Sequence, residues 1–400
     1  MRKTNRMLVP GIAVLAGLLA LGLAGTASAF HGGGVAHCDG CHSMHNSADN
    51  PISGSPNAKL LKGSDPSSTC LNCHEGGGSP TSYHILSDDG TVWSPGGDFF
   101  WLTQAYSWTT TRGGTTTTHT SDPENMGHNV VAGDQGLLED PTNTQAPGGT
   151  YLAADLGCDS CHDPHGQVNG GASGAISVSG SYGADPGSGI AGNYRLLGDA
   201  AYGLSAAPVA VISDTGPNGK YGEADDHHVA YGANMSEWCE SCHSTISDNT
   251  NKHPAGASDG LLNQTAGTSN TMFYNYNRYI ETGDLGGDVS TSYLALVPFE
   301  IGAAATRTDL LARSESTEGP DGASNVMCLT CHRAHASAFN NIMRWDSEEE
   351  LLIDSMPDAT QLAGMGVTDP TAPYYGKVIG AGGDFGEFQR SLCNKCHVND

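Results

Sequence analysis

The chain is poor in basic, apolar and aromatic residues. It has 17 lysines and arginines against 43 aspartates and glutamates, giving a formal net charge of −26, and only 38% of it is hydrophobic and 7% aromatic. A surface of this sign repels nucleic acid and anionic lipid, so we expect no nucleic-acid partner. The 55 glycines and 19 prolines favour turns over long regular elements. The composition therefore predicts a mostly irregular, loop-rich fold with short α-helices and few β-strands.

Long apolar runs are absent after the N-terminal segment. A basic start precedes an apolar stretch from Leu8 to about Gly25, which ends in Ala27-Ser28-Ala29. This pattern predicts a secretory signal peptide over residues 1–29 that is cleaved, and an uncleaved anchor is the alternative. No later stretch has the ~20 apolar residues of a membrane helix. We expect a secreted mature chain, 30–400, that forms a single domain without an integral membrane span.

No cysteine stands outside one short motif. All 12 cysteines belong to Cys-x-x-Cys-His units, which we number from the first to the sixth motif along the chain. In this spacing two thiols can add to the vinyl groups of one haem while the adjacent histidine binds its iron. The attachment cysteines are, in pairs, Cys38 and Cys41, Cys70 and Cys73, Cys158 and Cys161, Cys239 and Cys242, Cys328 and Cys331, and Cys393 and Cys396.

A redox-active dithiol, half of a zinc site and a local disulfide are alternative interpretations of a single unit. Six repetitions of one tight spacing, each followed by histidine and all behind an export signal, favour haem attachment over all three. The sequence thus predicts a c-type cytochrome with six haem c groups. Their apolar faces would also fill the core of a chain with few apolar side chains.

The number of histidines indicates whether each haem iron can have one protein ligand or two. An iron with one protein ligand can bind a substrate, whereas an iron with two mainly carries electrons. There are 17 histidines. The predicted proximal ligands are His42, His74, His162, His243, His332 and His397.

Six of the other histidines are candidates for the distal position. Three follow a proximal histidine by three residues, an offset that keeps them on the proximal side of their own haem and places them to bind the neighbouring one. The other three are single histidines beside apolar or turn residues. The distal candidates are His45, His84, His128, His165, His253 and His335. With them the irons can all be closed, which predicts an electron carrier and not an enzyme.

Other histidines and the methionines are weaker candidates. We assign structural or surface roles to His31, His37 and His119, and to His227-His228, which follow two aspartates on a loop that we expect to be solvated. Methionine is an alternative distal ligand but more often packs in cores. Met44, Met126, Met235 and Met327 are the methionines considered. The many carboxylates also leave room for bound calcium.

Few segments show a clear local structure, and no simple tandem repeat is visible. Helices are expected around the haem motifs and at 309–314 and 347–355, where Glu348-Glu349-Glu350 would form a solvated helix start. The threonine-rich segment 109–118 predicts a loop or a β-hairpin, and 170–192 a surface excursion.

The mature chain resembles the extracellular hexahaem c-type cytochromes of metal-reducing bacteria, which polymerise into conductive filaments. The resemblance covers essentially its whole length and includes residues outside the haem motifs. It is carried by Met44-His45-Asn46-Ser47, Pro95-Gly96-Gly97-Asp98-Phe99, Gly127-His128-Asn129, Cys161-His162-Asp163-Pro164-His165-Gly166, Met235-Ser236-Glu237-Trp238-Cys239, His332-Arg333-Ala334-His335-Ala336-Ser337 and Leu392-Cys393-Asn394-Lys395-Cys396-His397.

This resemblance implies bis-histidine haems in a continuous stack of alternating parallel and T-shaped pairs. It also implies a head-to-tail homopolymer in which His45 crosses to the next subunit and binds the haem held by Cys328, Cys331 and His332. The function would be extracellular electron transfer to acceptors such as metal oxides or other cells, with other cytochromes as partners. The alternatives are a soluble multihaem oxidoreductase with one open haem and a monomeric periplasmic shuttle.

Overall fold

A computed structural model gives the fold. It describes residues 40–43, 59–76, 84–164, 184–185, 190–191, 193–212, 226–246, 255–256, 262–265, 269–288, 297–302 and 304–398. The expected signal peptide and most of the 170–192 excursion lie outside these residues. The loop-rich fold predicted from composition is confirmed, because short helices and two-stranded sheets are joined by long irregular segments.

The described helices are short, and five of them contain a haem motif or part of one. The helices are α1 (Pro66–His74), α2 (Cys158–Cys161), α3 (Met235–Cys239), α4 (Met272–Tyr276), α5 (Arg307–Ser314), α6 (Cys328–Cys331), α7 (Ala359–Gly364) and α8 (Cys393–His397). The predicted helix at 309–314 is therefore present in α5. It begins with a capping box in which Thr306 and Asp309 bond each other's backbone N–H.

Three antiparallel pairs of strands account for the described sheet structure. The strands are β1 (Tyr106–Arg112), β2 (Thr115–Ser121), β3 (Ala184–Asp185), β4 (Ile190–Ala191), β5 (Val209–Val211) and β6 (Ala230–Ala233), paired in sequence order. The threonine-rich segment forms the β1–β2 hairpin, with Tyr106 opposite Ser121 and Arg112 opposite Thr115. Gly113 and Gly114 both have positive φ, as the tight turn of such a hairpin requires.

The helix expected at 347–355 is absent, and this prediction was wrong. Only a 3₁₀ turn at Leu352–Asp354 occurs there. Tertiary contacts hold the segment extended, since Leu351 forms a bridge with Arg390 and the Leu352 N–H donates to the Gln389 carbonyl. Glu350 forms an ion pair with Arg390. These contacts with residues 389 and 390 replace the intrahelical bonds that the sequence predicted.

The described apolar side chains form four small clusters. The largest packs the 3₁₀ turn at Phe99–Thr103 and the base of the β1–β2 hairpin against the segment around Phe339. A second lies around Tyr231 and Met327, a third around Trp345 and Phe385, and a small fourth around Leu310. None of the described helices is long and apolar enough to cross a bilayer.

Candidate haem-binding sites

Helix α1 shows how the chain positions a motif. Asp65 precedes it, and its carboxylate accepts the Ser68 N–H at 2.7 Å, while Pro66 occupies the first turn. The same carboxylate accepts the Gly133 N–H at 2.9 Å. The cap thus fixes both the start of the helix and a distant loop, and the second motif occupies the last turns.

Two pairs of consecutive motifs meet through their first cysteines. The thiols of Cys70 and Cys158 are in hydrogen-bonding contact, as are those of Cys239 and Cys328. A serine three residues before the earlier cysteine supports each contact. Ser67 Oγ accepts the Cys158 N–H at 2.9 Å, and Ser236 Oγ accepts the Cys328 N–H at 3.2 Å. The second and third motifs, and the fourth and fifth, are therefore close neighbours.

In the remaining consecutive pairs, the second cysteine of the odd-numbered motif lies near the motif that follows. Each such cysteine interacts electrostatically with both cysteines of the motif that follows. These are Cys41 with Cys70 and Cys73, Cys161 with Cys239 and Cys242, and Cys331 with Cys393 and Cys396. In the described part of the chain the six motifs thus follow one another in space in chain order, and thiol hydrogen bonds alternate with longer-range electrostatic proximity between consecutive motifs.

The first, third and fifth motifs share one backbone arrangement. In each, the residue after the histidine donates its N–H to the carbonyl of a residue with φ of 57°, and the carbonyl of the second cysteine accepts an N–H two residues further along that loop. The partners are Ser43–Leu60 and Lys62–Cys41, then Asp163–Leu196 and Gly198–Cys161, then Arg333–Ile342 and Arg344–Cys331. The local structure therefore repeats three times although the sequence shows no tandem repeat.

The histidine side chains are oriented by backbone carbonyls. Nδ1 lies 2.8 to 2.9 Å from a carbonyl oxygen in five of them, an arrangement in which Nδ1–H donates and Nε2 is left for a metal. The pairs are His42 with Lys59, His128 with Ala334, His162 with Arg195, His243 with Pro147 and His332 with Asn341. Sequence reasoning did not identify these five carbonyls, because a backbone acceptor has no side-chain signature.

Two predicted distal histidines each face a histidine that the sequence predicts as a proximal ligand. The rings of His335 and His162 have centroids 6.4 Å apart at 55°, and those of His128 and His243 lie 6.0 Å apart at 53°. Two metal–nitrogen bonds of about 2 Å plus about 1 Å from each nitrogen to its ring centre give a separation of roughly 6 Å. Both pairs are thus spaced for one metal ion between the rings.

Burial disfavours the protonated form of three of the candidate ligands, His128, His332 and His335. Desolvation, with a smaller contribution from the His162 ring, lowers the pKa of His335 to about 3. Desolvation also lowers the pKa of His128 and of His332. A neutral imidazole is the form that binds a metal. Burial also raises the pKa of the Cys161 thiol to about 12.

The residues present fit haem. The eleven described cysteines form no disulfide. Arg333 is buried and stacks on Tyr375 at 3.6 Å, and no acceptor for its Nε occurs in the described part of the chain. Such a cation suits a carboxylate like a haem propionate. Calcium gains no support, because no group of three or more described His, Cys, Asp or Glu side chains is suited to a metal ion.

Several of the other candidate ligands predicted from the sequence lie outside the described residues. Cys38, His45, His165 and His253 lie outside the described residues, as do His31, His37 and Met44. The ring of His84 packs against Gly76, just after the second motif. Met126, Met235 and Met327 are buried in the apolar clusters, which is the packing role that methionine usually has.

The surface histidines require one correction. His227 and His228 are only 1% and 8% exposed, so the solvated loop expected there is wrong. The segment leads into β6, and the His228 N–H donates to the Ser314 carbonyl at 2.9 Å, which places it beneath α5. His119 has the expected structural role, since it stacks on Trp108 and lies 2.8 Å from the Thr110 hydroxyl.

Comparison with known proteins identifies close relatives, although no family model matches the chain. The chain is 40% identical to the C-type cytochrome OmcS of Geobacter sulfurreducens, over 94% of its own length and 95% of the relative's. Two solved structures, of OmcS nanowires and of the outer membrane cytochrome S filament from the same organism, match with TM-scores of 0.74 and 0.73. Each is 37% identical and covers 93% of this chain and 100% of the other.

Proposed function

The chain belongs to the family of the C-type cytochrome OmcS, and we propose that it carries electrons outside the cell through six haem c groups held in a filament of its own copies. The observation that carries this proposal is that consecutive motifs lie near one another, in chain order, through the described part of the chain. Haem c supplies a one-electron iron couple, and a row of such groups in contact can pass electrons along the molecule.

The chain's own residues attach and orient each haem. The two cysteines of a motif form its thioether links, and the following histidine is the proximal ligand. His335 is the distal ligand for the third motif and His128 for the fourth, as their spacing from His162 and His243 supports. His45, His84, His165 and His253 complete the set. With two protein ligands each, the irons would have no position left for a substrate, so we propose a carrier and not an enzyme.

The threefold backbone arrangement supports a rule for the distal ligands. His335 follows the fifth motif and reaches the third, two motifs earlier. The third motif has the same local structure and carries His165, which by the same offset reaches the first. The first motif carries His45, and two motifs before it lies the fifth motif of another copy. His45 therefore binds the haem held by Cys328, Cys331 and His332 in the next subunit.

The alternating contacts support the same head-to-tail order. The first cysteine of each of the second and fourth motifs touches the first cysteine of the following motif. Cys393, the first cysteine of the sixth motif, is exposed. The first motif of another copy would continue the row there. Contacts that do not close on themselves generate a filament, and a bond to iron at each junction strengthens it.

We place this filament outside the cell, after export and removal of residues 1–29. Its partners are further copies of the chain, other cytochromes and extracellular acceptors such as metal oxides or other cells. The net charge of −26 disfavours nucleic acid and anionic membranes as partners.

Spin-state counting tests the ligand set. Haem content by absorbance and quantitative electron paramagnetic resonance of the oxidised protein should give six haems, all low-spin. His335→Ala and His128→Ala should each convert one haem to high-spin, and added imidazole should restore the low-spin signal. His119→Ala is the matched control and should change nothing. A wild-type haem that is high-spin and binds cyanide or nitrite would favour the oxidoreductase alternative.

A further inference from the structure

The distal histidines assigned to the third and fourth motifs are held by one short segment, Ala334–Ala336. Its middle residue, His335, presents its ring to His162. Its carbonyls hold His128 in place, because the His128 N–H donates to the His335 carbonyl at 2.9 Å and His128 Nδ1 lies 2.8 Å from the Ala334 carbonyl. The backbone of one distal ligand thus positions the other.

A loop around Gly96 supports the segment from one side. The Gly96 carbonyl accepts the N–H of Ala334 at 3.0 Å and of His335 at 2.7 Å. Phe99, buried in the largest apolar cluster, stacks on the His335 ring at 4.9 Å and 24°. The buried Asp98 carboxylate anchors the loop by accepting N–H groups of Ser87, Val92 and Phe100.

Glycines permit the close approach on both sides. A Cβ at Gly97, which has φ of +102°, would lie 1.9 Å from the Ala336 carbonyl oxygen. A Cβ at Gly127 would lie 2.7 Å from the Ala336 Cβ and 2.8 Å from the His335 carbonyl oxygen. Gly127 also pairs with Ala336 in an antiparallel bridge. Any side chain at these positions must push the segment that holds both rings.

A Cβ at Gly96 would act differently. It would lie 2.7 Å from Nδ1 and 2.8 Å from Cε1 of the His335 ring, so it presses on the imidazole of one site. A substitution at Gly96 should therefore displace only the His335 ring, whereas a substitution at Gly127 should displace the backbone of Ala334–Ala336.

We infer that Gly97 and Gly127 are positioning residues that, through Ala334–Ala336, couple the distal ligation of the third haem to that of the fourth. This inference rests on the proposed ligand roles of His335 and His128. It adds that the two haems gain or lose their distal ligands together, although the ligands come from distant parts of the chain. The pair would then act as one unit in the conducting row.

Glycine-to-alanine variants of the full, haem-loaded chain test the coupling by spin counting. Gly127→Ala should convert two of the six haems to high-spin, and Gly96→Ala only one. Gly364→Ala is the control, since no atom lies within 4 Å of its added Cβ, and it should leave all haems low-spin. One high-spin haem or none in Gly127→Ala, with haem content unchanged, overturns the inference.

Hydrogen exchange of the wild-type protein decides the question if Gly127→Ala yields no holoprotein. Peptides containing the amides of His128 and His335 should show one opening free energy and one denaturant dependence, because they open as a unit. Separate opening overturns the coupling. A different result would refute the ligand roles themselves: His128→Ala and His335→Ala would each leave every haem low-spin.

Discussion

At the scale of single residues, the chain uses backbone carbonyls to hold its functional histidines. Five carbonyls orient imidazoles, and two of these belong to residues with positive φ, Arg195 and Asn341. The His162 and His332 partners lie 33 and 9 residues away in sequence. Substitutions at Arg195 and Asn341 should therefore affect the histidines by changing the backbone conformation. The loss of the Arg195 or Asn341 side chain itself should matter less.

Glu300 gives a residue-scale prediction of pH dependence. It is fully buried, and its carboxylate accepts the N–H of Met235 at 2.8 Å at the start of α3. Burial and then the charge of Glu237 raise its pKa to about 7 from 4.5. Between these values the folded chain holds more protons than the unfolded chain, so the free energy of unfolding falls as pH rises, by roughly 3 kcal/mol.

Glu300→Gln should remove this dependence. Unfolding in guanidinium at about pH 5 and about pH 8 should show a large loss of stability in the wild type and little in the variant. The exposed Glu139→Gln is the matched control and should behave as the wild type does. Equal pH dependence in the wild type and in Glu300→Gln would contradict the assignment.

At the scale of elements, short helices depend on their caps and tertiary contacts more than on helix propensity. The Asp65 carboxylate caps α1 and also binds the Gly133 N–H. Asp65→Ala should lower the free energy of unfolding by about 1–2 kcal/mol, measured by denaturant titration. Asp65→Asn keeps one oxygen to accept the Ser68 N–H, but an amide NH2 replaces the oxygen that accepts the Gly133 N–H, so we expect a smaller loss. Equal losses in the two variants would show that the cap bond to Ser68 contributes little.

The elements that could be predicted from the sequence are those with a local sequence signal. The haem motifs, α5 and the β1–β2 hairpin have local signals, namely a fixed cysteine spacing, a capping box and a threonine run with two glycines. The 347–355 segment and His227-His228 were misassigned because distant partners decide their conformation, Arg390 for one and Ser314 for the other. The backbone arrangement shared by the first, third and fifth motifs could not be predicted from the sequence. Its three loops differ in their residues and in their distance along the chain from the histidines.

At the scale of the whole molecule, the functional unit is the polymer. The row of motifs can continue beyond one chain, because Cys393 is exposed and we propose that His45, beside the first motif, binds the fifth haem of the next copy. A filament built this way would have the same contacts at its subunit junctions as within each subunit. Conduction would then meet no special barrier at the boundary.

The junction can be removed without touching the described core. His45→Ala should open one haem per chain and shorten or abolish filaments in negative-stain electron microscopy, while haem content stays unchanged. His119→Ala, on the β1–β2 hairpin, is the control and should form filaments of normal length. Intact His45→Ala filaments with every haem low-spin would show that His45 is not the junction ligand.

A cryo-EM reconstruction of the native filament at a resolution that separates individual haems tests the proposed row of haems most directly. We expect six haems per chain in motif order, His335 and His162 on either side of the third iron, and His45 of one subunit opposite His332 of the next. A break in the row at the subunit boundary, or an iron with only one protein ligand, would contradict it.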